Sequence, residues 1–229
     1  MKFIDLSGSD NLIRTPDFSG VPILEQLNLS FCDHLVEIHP SIGQLSKLRY
    51  LHLQGCFSLT NLPTMSAEMH SLTVLNLYCC YKISSFPKFT GMMKSLSELY
   101  LHFTAIKKVE PSSIECLTAL TLLDLSLCRN LEYLPSNMDN LRSLETLKLS
   151  QCSELESLPR LPSTIRCIKA KGCSSLKWSP KRVKLSFWSQ PLSQWLPYDE
   201  SDSRVGFTIL FHFLQVISSL SLSLSLSLK

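Results

Sequence analysis

The stretch LTVLNLYCC, residues 72–80, decides the fold, because it returns in recognisable form every 24 residues. It becomes LSELYLHFT at residues 96–104 and LTLLDLSLC at residues 120–128. The central apolar residue of each copy, called the anchor below, is Leu75, Leu99 or Leu123. Self-similarity at a fixed period of this length is the signature of a repeat architecture.

The anchors continue over most of the 229-residue chain, with successive spacings of 23, 24, 24, 24, 24, 24 and 21 residues. Another apolar residue stands two positions after each anchor, and cysteine stands five positions after six of the eight, with Ser9 and Thr104 in the other two slots. A proline usually follows a few residues later. The anchors are Ile4, Leu27, Leu51, Leu75, Leu99, Leu123, Leu147 and Ile168.

The LxL core of each repeat has a period of two, so its leucines point to one face of a short strand and their neighbours to the other. Proline suits the first turn of a short return helix, as at Pro40 and Pro135. One repeat cannot bury its apolar face alone, so neighbours must stack on a shared core. The pattern predicts an α/β leucine-rich-repeat solenoid, a horseshoe with a concave parallel sheet and short helical or 3-10 turns on its convex side.

The repeats predict one domain over residues 1–178, of about eight repeats, and an irregular, low-complexity tail over residues 179–229. We expect the tail to be poorly ordered. Its stretch from Val205 to Leu228 is long and apolar, yet His212, Gln215 and six serines disfavour a membrane span. The first residues contain Asp5 and Asp10 and no apolar signal-peptide core, so we expect a reducing, cytoplasmic or nuclear setting.

No constellation of residues predicts an enzyme. The six cysteines in one column are best explained as small structural thiols, since serine and threonine replace them in the same slot. Cys79, Cys116 and Cys167 show no CxxC spacing, and the histidines form no HExxH motif. The glycines form neither GxGxxG nor GxxxxGK[ST], so we expect no cofactor, no metal and no catalytic residue.

The residues that flank each anchor point to the concave surface and vary in type between repeats. In the middle repeats they form an aromatic and imidazole cluster that we predict to be a protein-binding site; exposed tyrosines of this kind are typical interface anchors. A solvated sheet face with scattered aromatic residues is the alternative. The predicted binding residues are Tyr50, His52, Tyr78, Tyr100, His102 and Phe103.

The net charge of +3 indicates no particular partner, but its distribution is uneven. No acidic residue lies between Glu156 and Asp199, where eight basic residues are found: Arg160, Arg166, Lys169, Lys171, Lys177, Lys181, Arg182 and Lys184. This end could contact an acidic protein surface. Nucleic acid is less favoured, because no nucleic-acid motif accompanies the charges, and a solvated basic flank is the more frequent meaning of such a pattern.

Several stretches closely resemble plant intracellular disease-resistance proteins with a Toll/interleukin-receptor-like domain, a nucleotide-binding domain and leucine-rich repeats (the TIR-NBS-LRR class). They are LIRTPDFSGVP at residues 12–22, LNLSFC at 27–32, HPSIG at 39–43 and LPRLPS at 158–163. The shortened repeat at residues 99–109 is similar to that class as well, and the resemblance covers about residues 1–178. The LxGxIP pattern of extracellular plant repeats is missing.

The resemblance implies a recognition or regulatory module of plant innate immunity, which binds pathogen effectors, guarded host proteins or receptor domains. The alternative is a non-catalytic scaffold or decoy that binds the domains of other receptors. The NAD hydrolysis and ATP or ADP binding of the family cannot be carried over, because the sequence contains neither of the responsible domains. Met1 stands three residues before an anchor, so we expect a fragment or a truncated product.

Overall fold

The computed structural model describes residues 1–177, which form one eight-stranded parallel sheet in the chain order β1 to β8. Each strand is three residues long and is centred on an anchor. The strands are β1 Phe3–Asp5, β2 Gln26–Asn28, β3 Tyr50–His52, β4 Val74–Asn76, β5 Glu98–Tyr100, β6 Leu122–Asp124, β7 Thr146–Lys148 and β8 Cys167–Lys169.

The strands pair in the register that the spacing predicts, anchor against anchor. Leu75 lies opposite Leu51 on one side and Leu99 on the other. Beyond each strand the ladder continues: the amide of Leu53 donates to the carbonyl of Asn76 at 2.8 Å, and Leu77 donates to Tyr100 at 2.8 Å. The predicted leucine-rich-repeat solenoid is confirmed.

The core is a continuous column of leucines behind the sheet. The inner anchors from Leu27 to Leu147 are 0% exposed, as are the apolar residues two positions after them. Ile4 and Ile168, on the first and last strands, are only partly buried because each has a neighbouring strand on one side. Burial therefore depends on stacking, as expected for a repeat array.

The convex turns combine short helices with extended segments. Within the described part of the chain, helical turns are a 3-10 helix at Pro40–Gln44, the α-helix α1 at Pro111–Cys116 and a 3-10 helix at Met138–Asn140. Proline begins the first two, as predicted at Pro40, but the prediction at Pro135 was wrong, since the third helical turn begins at Met138. Ile42, Ile114 and Met138 are buried. The segments after Pro63 and Pro87 are extended instead and make a parallel bridge between Met65 and Phe89.

The residue four positions after each anchor adopts a positive φ in all eight repeats, between 56° and 77°. Three of these residues are glycines: Gly8, Gly55 and Gly172. The other five are Phe31, Cys79, Phe103, Leu127 and Gln151, although the left-handed region disfavours side chains with a Cβ atom. The chain must turn sharply into the core here, and the ladder on both sides holds the turn in place.

The tail predicted at residues 179–229 lies outside the described residues, and the boundary at residue 178 remains a prediction. In residues 1–177 no helix has the length and apolar composition that crossing a bilayer would require.

Candidate functional site

The concave face consists of three columns of side chains, one before the anchor, one directly after it and one three positions after it. In the inner strands the residues beside the anchor are mostly half-buried while the anchor itself is fully buried. The alternation predicted from the sequence thus separates a leucine core from a wall of varied side chains. All six predicted binding residues lie on this wall or at its rim.

Two pairs of predicted residues stack on one another. The rings of Tyr78 and His102, on neighbouring repeats, lie 4.6 Å apart between centroids at an angle of 17°. Tyr50 and His52 are nearly parallel at 6.4 Å. Burial lowers the pKa of both His52 and His102, so the two imidazoles are neutral at pH 7 and can act as flat, weakly polar contact surfaces.

Tyr100 lies in a polar network at the centre of the face. Its hydroxyl donates to Glu98 Oε2 at 2.7 Å. Burial, together with the nearby carboxylate, raises the pKa of Tyr100 to about 12. Lys148 Nζ lies 6.0 Å from the centre of the Tyr100 ring and 3.2 Å from Asp124 Oδ2. Asp124 is only 7% exposed, so this ion pair is more strongly coupled than a surface pair. The pairing was not anticipated from the sequence.

Phe103 departs from the wall and joins a second group of aromatic rings. Its positive φ directs it to the rim of the sheet, where its ring lies 6.0 Å from that of Tyr81. Tyr81 in turn stacks on Phe57 at 4.9 Å and 12°. This row, called the aromatic ridge, therefore comprises Phe57, Tyr81 and Phe103, of which Tyr81 is 43% and Phe103 39% exposed. Phe57 and Tyr81 both stand six positions after an anchor, and neither was predicted from the sequence to lie at the binding surface.

The column directly after the anchor varies less freely than the sequence suggested. Wherever aspartate or asparagine stands there, its Oδ1 accepts a hydrogen bond from the amide two residues later, which closes the end of the strand. This occurs at Asp5, Asn28, Asn76 and Asp124. These four side chains therefore have a structural role, and the residues of this column that lack this bond are His52, Tyr100, Lys148 and Lys169.

The column of cysteines forms a ladder of hydrogen bonds between successive repeats. The Cys56 thiol donates to the carbonyl of Leu29 in the preceding repeat at 3.1 Å, and Cys32, Cys80, Cys128, Cys152 and Cys173 make the corresponding bond at 2.9–3.1 Å. Thr104 donates instead to Leu101, three residues earlier, at 2.8 Å. Burial raises the pKa of Cys80 to about 12 and of Cys128 to about 11, so both keep the proton that they donate.

Within residues 1–177, no three or more His, Cys, Asp or Glu side chains converge in a way that could hold a metal ion. The chemistry that this face offers is that of a contact surface: stacked neutral rings, an amphipathic tyrosine, a buried ion pair and an exposed aromatic ridge. Buried hydrophobic anchors and tyrosines of this kind contribute most of the free energy in protein–protein interfaces.

A family model described as RPS4B-like disease resistance protein, leucine-rich repeats, matches residues 68–160. TMV resistance protein N of Nicotiana glutinosa is 52% identical over 48 residues, which are 21% of this chain and 4% of that protein. Disease resistance protein RPV1 of Vitis rotundifolia is 49% identical over 47 residues, 20% of this chain and 3% of that protein. The matched stretches thus span only a few per cent of these relatives.

Among solved structures, a leucine-rich-repeat protein of Leptospira interrogans is similar, with 18% identity and a TM-score of 0.20 over 75% of this chain and 72% of that one. The fold is shown by the eight paired strands of the sheet. The register of the sheet and the cysteine ladder show that the chain carries leucine-rich repeats, and its central repeats, residues 68–160, are similar to those of RPS4B-like disease resistance proteins.

Proposed function

We propose that this chain is a recognition module of plant innate immunity, which binds a pathogen effector or a guarded host protein through its concave face. The observation that carries the proposal is the presence of two groups of rings in the repeats of β4 and β5: Tyr78 stacked on His102, and Phe103 beside Tyr81 in the aromatic ridge. Tyr78 is 45% exposed, and tyrosine is enriched in protein–protein interfaces relative to the rest of the protein surface.

The proposed setting is the cytoplasm or the nucleus, and the proposed role is non-catalytic. The cysteine ladder supports a reducing compartment, because each of its six thiols uses its proton to bond the preceding repeat, and a disulfide would remove that donor. Within this setting the partner is a protein. The rival proposal, a scaffold or decoy for the domains of other receptors, differs from recognition only in which proteins are bound.

The test is a capture experiment with the full chain, using extracts of infected and uninfected plant tissue. The variant Tyr78→Ala/Tyr100→Ala/Phe103→Ala is expected to weaken binding of the captured partner at least about tenfold, because the truncations remove two aromatic contacts on the face and a third at its rim. The equilibrium constant is then measured for the purified partner by isothermal titration calorimetry.

The matched control is Val36→Ala/Met92→Ala/Tyr133→Ala, which removes three exposed apolar side chains from outside the concave face. Both variants must show the circular dichroism and unfolding transition of the unsubstituted chain. Partners found only in infected tissue favour effector recognition, and capture limited to host receptor domains favours the scaffold. Unchanged binding by the aromatic variant would contradict the proposed site.

A further inference from the structure

The concave face changes its charge from one end of the solenoid to the other. In the three columns of β1 to β4, Asp5 is the one residue that is charged at neutral pH. In β5 and β6 the columns carry Glu98 and Asp124, and in β7 and β8 they carry Lys148, Lys169 and Lys171. The aromatic stack of Tyr78 and His102 therefore lies between a nearly uncharged half and a basic end.

In the middle of the face the lysine is paired and one carboxylate is not. Lys148 is paired with the buried carboxylate of Asp124 at 3.2 Å. The carboxylate of Glu98 accepts the hydroxyl of Tyr100 and makes no ion pair with any residue in the range 1–177. A continuous row of negative groups placed over these strands would therefore be repelled by Glu98.

The lysines of the last strand are not compensated in this way. Lys169 and Lys171 are exposed, and neither makes an ion pair with any residue in the described range 1–177. Lys169 is the last residue of β8, and Lys171 stands two positions later, in the column that holds Tyr78 and His102 in other repeats, so both belong to the concave columns. Arg166 precedes them and has only a long, exposed contact of 3.8 Å with Glu145. We call Lys169 and Lys171 the basic end.

The distance from the aromatic stack to the basic end matches a short piece of extended chain. His102 follows β5 and Lys171 follows β8, so three strand spacings of about 4.8 Å, roughly 14 Å in total, separate their columns. An extended peptide covers this distance in about four residues, at about 3.3 Å for each. One segment can therefore place an apolar side chain on the Tyr78–His102 stack and carboxylates beside the two lysines.

From this arrangement we infer that the concave face recognises an acidic peptide segment, in which a large apolar residue is followed or preceded at about four residues by paired carboxylates. The inference rests on the proposed function and specifies the chemistry of its partner. A peptide fits better than a nucleic acid because, in the described range 1–177, the unpaired cations of the three concave columns stand only in β8 and just after it, whereas Glu98 and Asp124 lie on the path to the aromatic stack. A peptide can carry uncharged residues there, and a phosphate backbone cannot.

The test uses labelled synthetic peptides and the full chain in a fluorescence anisotropy titration. One probe carries tryptophan, three glycine or serine residues and two glutamates, and it is made in both chain directions. Its partner probe has glutamines in place of the glutamates. We expect the acidic probe to bind about tenfold more tightly than the glutamine probe at low salt, and this difference to shrink at high salt as the charges are screened.

The variant Lys169→Glu/Lys171→Glu should abolish the preference for glutamate and should favour a probe with two lysines instead. The matched control, Lys82→Glu/Lys107→Glu, changes the net charge equally at exposed positions outside the concave face and should behave as the unsubstituted chain. A single-stranded oligonucleotide of similar length is titrated in parallel.

The outcomes separate this inference from the proposed function. If the Tyr78, Tyr100 and Phe103 variant loses its partner while charge reversal at the basic end has no effect on the partner or the probes, the inference fails and the proposed site stands. If neither variant affects binding of the partner, both fail. Equal binding of the glutamate and glutamine probes would also overturn the inference. So would an oligonucleotide that binds more tightly than the acidic probe and loses this binding in the Lys169→Glu/Lys171→Glu variant.

Discussion

Leu123→Ala is expected to lower the free energy of unfolding by about 2–5 kcal/mol, the range for truncating a leucine in a tightly packed core. Leu123 is 0% exposed and lies between Leu99 and Leu147 in the column of anchors. The cavity left by its side chain would open on two repeats at once. Equilibrium unfolding in urea, followed by circular dichroism, measures the change.

The preceding residue provides a matched control, since Leu122→Ala is the same chemical change one position away. Leu122 is only half-buried and faces the concave side, so we expect this variant to lose less than about 1.5 kcal/mol, in proportion to the smaller apolar area that it hides. A larger loss at Leu122 than at Leu123 would mean that the two side chains point to the opposite faces from those described.

Gly43→Ala is expected to destabilise the chain by about 1–3 kcal/mol, the usual cost of overpacking a dense region. Gly43 is buried in the 3-10 helix Pro40–Gln44, and a Cβ atom added to it would lie 2.5 Å from the carbonyl oxygen of Thr64 in the next repeat. Backbone atoms cannot rotate away as a flexible side chain can. The carbonyl of Gly43 also accepts the hydroxyl of Ser66 at 2.6 Å, so the two repeats must move together.

The control for this substitution is Gly20→Ala, at a glycine whose added Cβ would meet no atom within 4 Å. We expect a change within about 0.5 kcal/mol for it. Thermal and urea unfolding of both variants give the comparison. Equal stability of the Gly43 and Gly20 variants would show that the convex sides of neighbouring repeats are packed less closely than the distance to Thr64 indicates.

The sheet could be predicted from the sequence because its determinant is local and repeated. The spacing of the anchors fixes which residues pair, and the period of two fixes which side chains share a face. The same register could also have revealed the Asp124–Lys148 ion pair, since the two residues stand 24 positions apart in one column. That contact was missed although the register contained it.

The rim of the sheet could not be predicted in the same way. The chain leaves the strand through a residue with positive φ, so the period of two no longer determines the direction of Phe57, Tyr81 or Phe103. The presence of glycine did not reveal that turn either, because five of the eight residues with positive φ are not glycine. The convex segments were predicted only in part for a related reason: proline begins a helix at Pro40 and Pro111, whereas the segments after Pro63 and Pro87 pair as extended chain.

The central claim is that successive repeats stack in parallel, anchor against anchor, and so present one wall of varied side chains. Paired cysteine substitutions test it directly. Ser126 and Ser150 each stand three positions after paired anchors, so their Cα atoms should be about 4.8 Å apart, within the range for a disulfide. In the pair Ser126 and Lys148 the second residue is shifted by two positions, which places the Cα atoms about 8 Å apart and outside that range.

Each double variant is mildly oxidised, and its disulfides are located by peptide mapping in a mass spectrometer. The mapping distinguishes a bond between the two introduced cysteines from any bond that involves a native thiol. The account predicts a disulfide in the Ser126→Cys/Ser150→Cys chain and none in the Ser126→Cys/Lys148→Cys chain. A disulfide in the second chain and none in the first would contradict it.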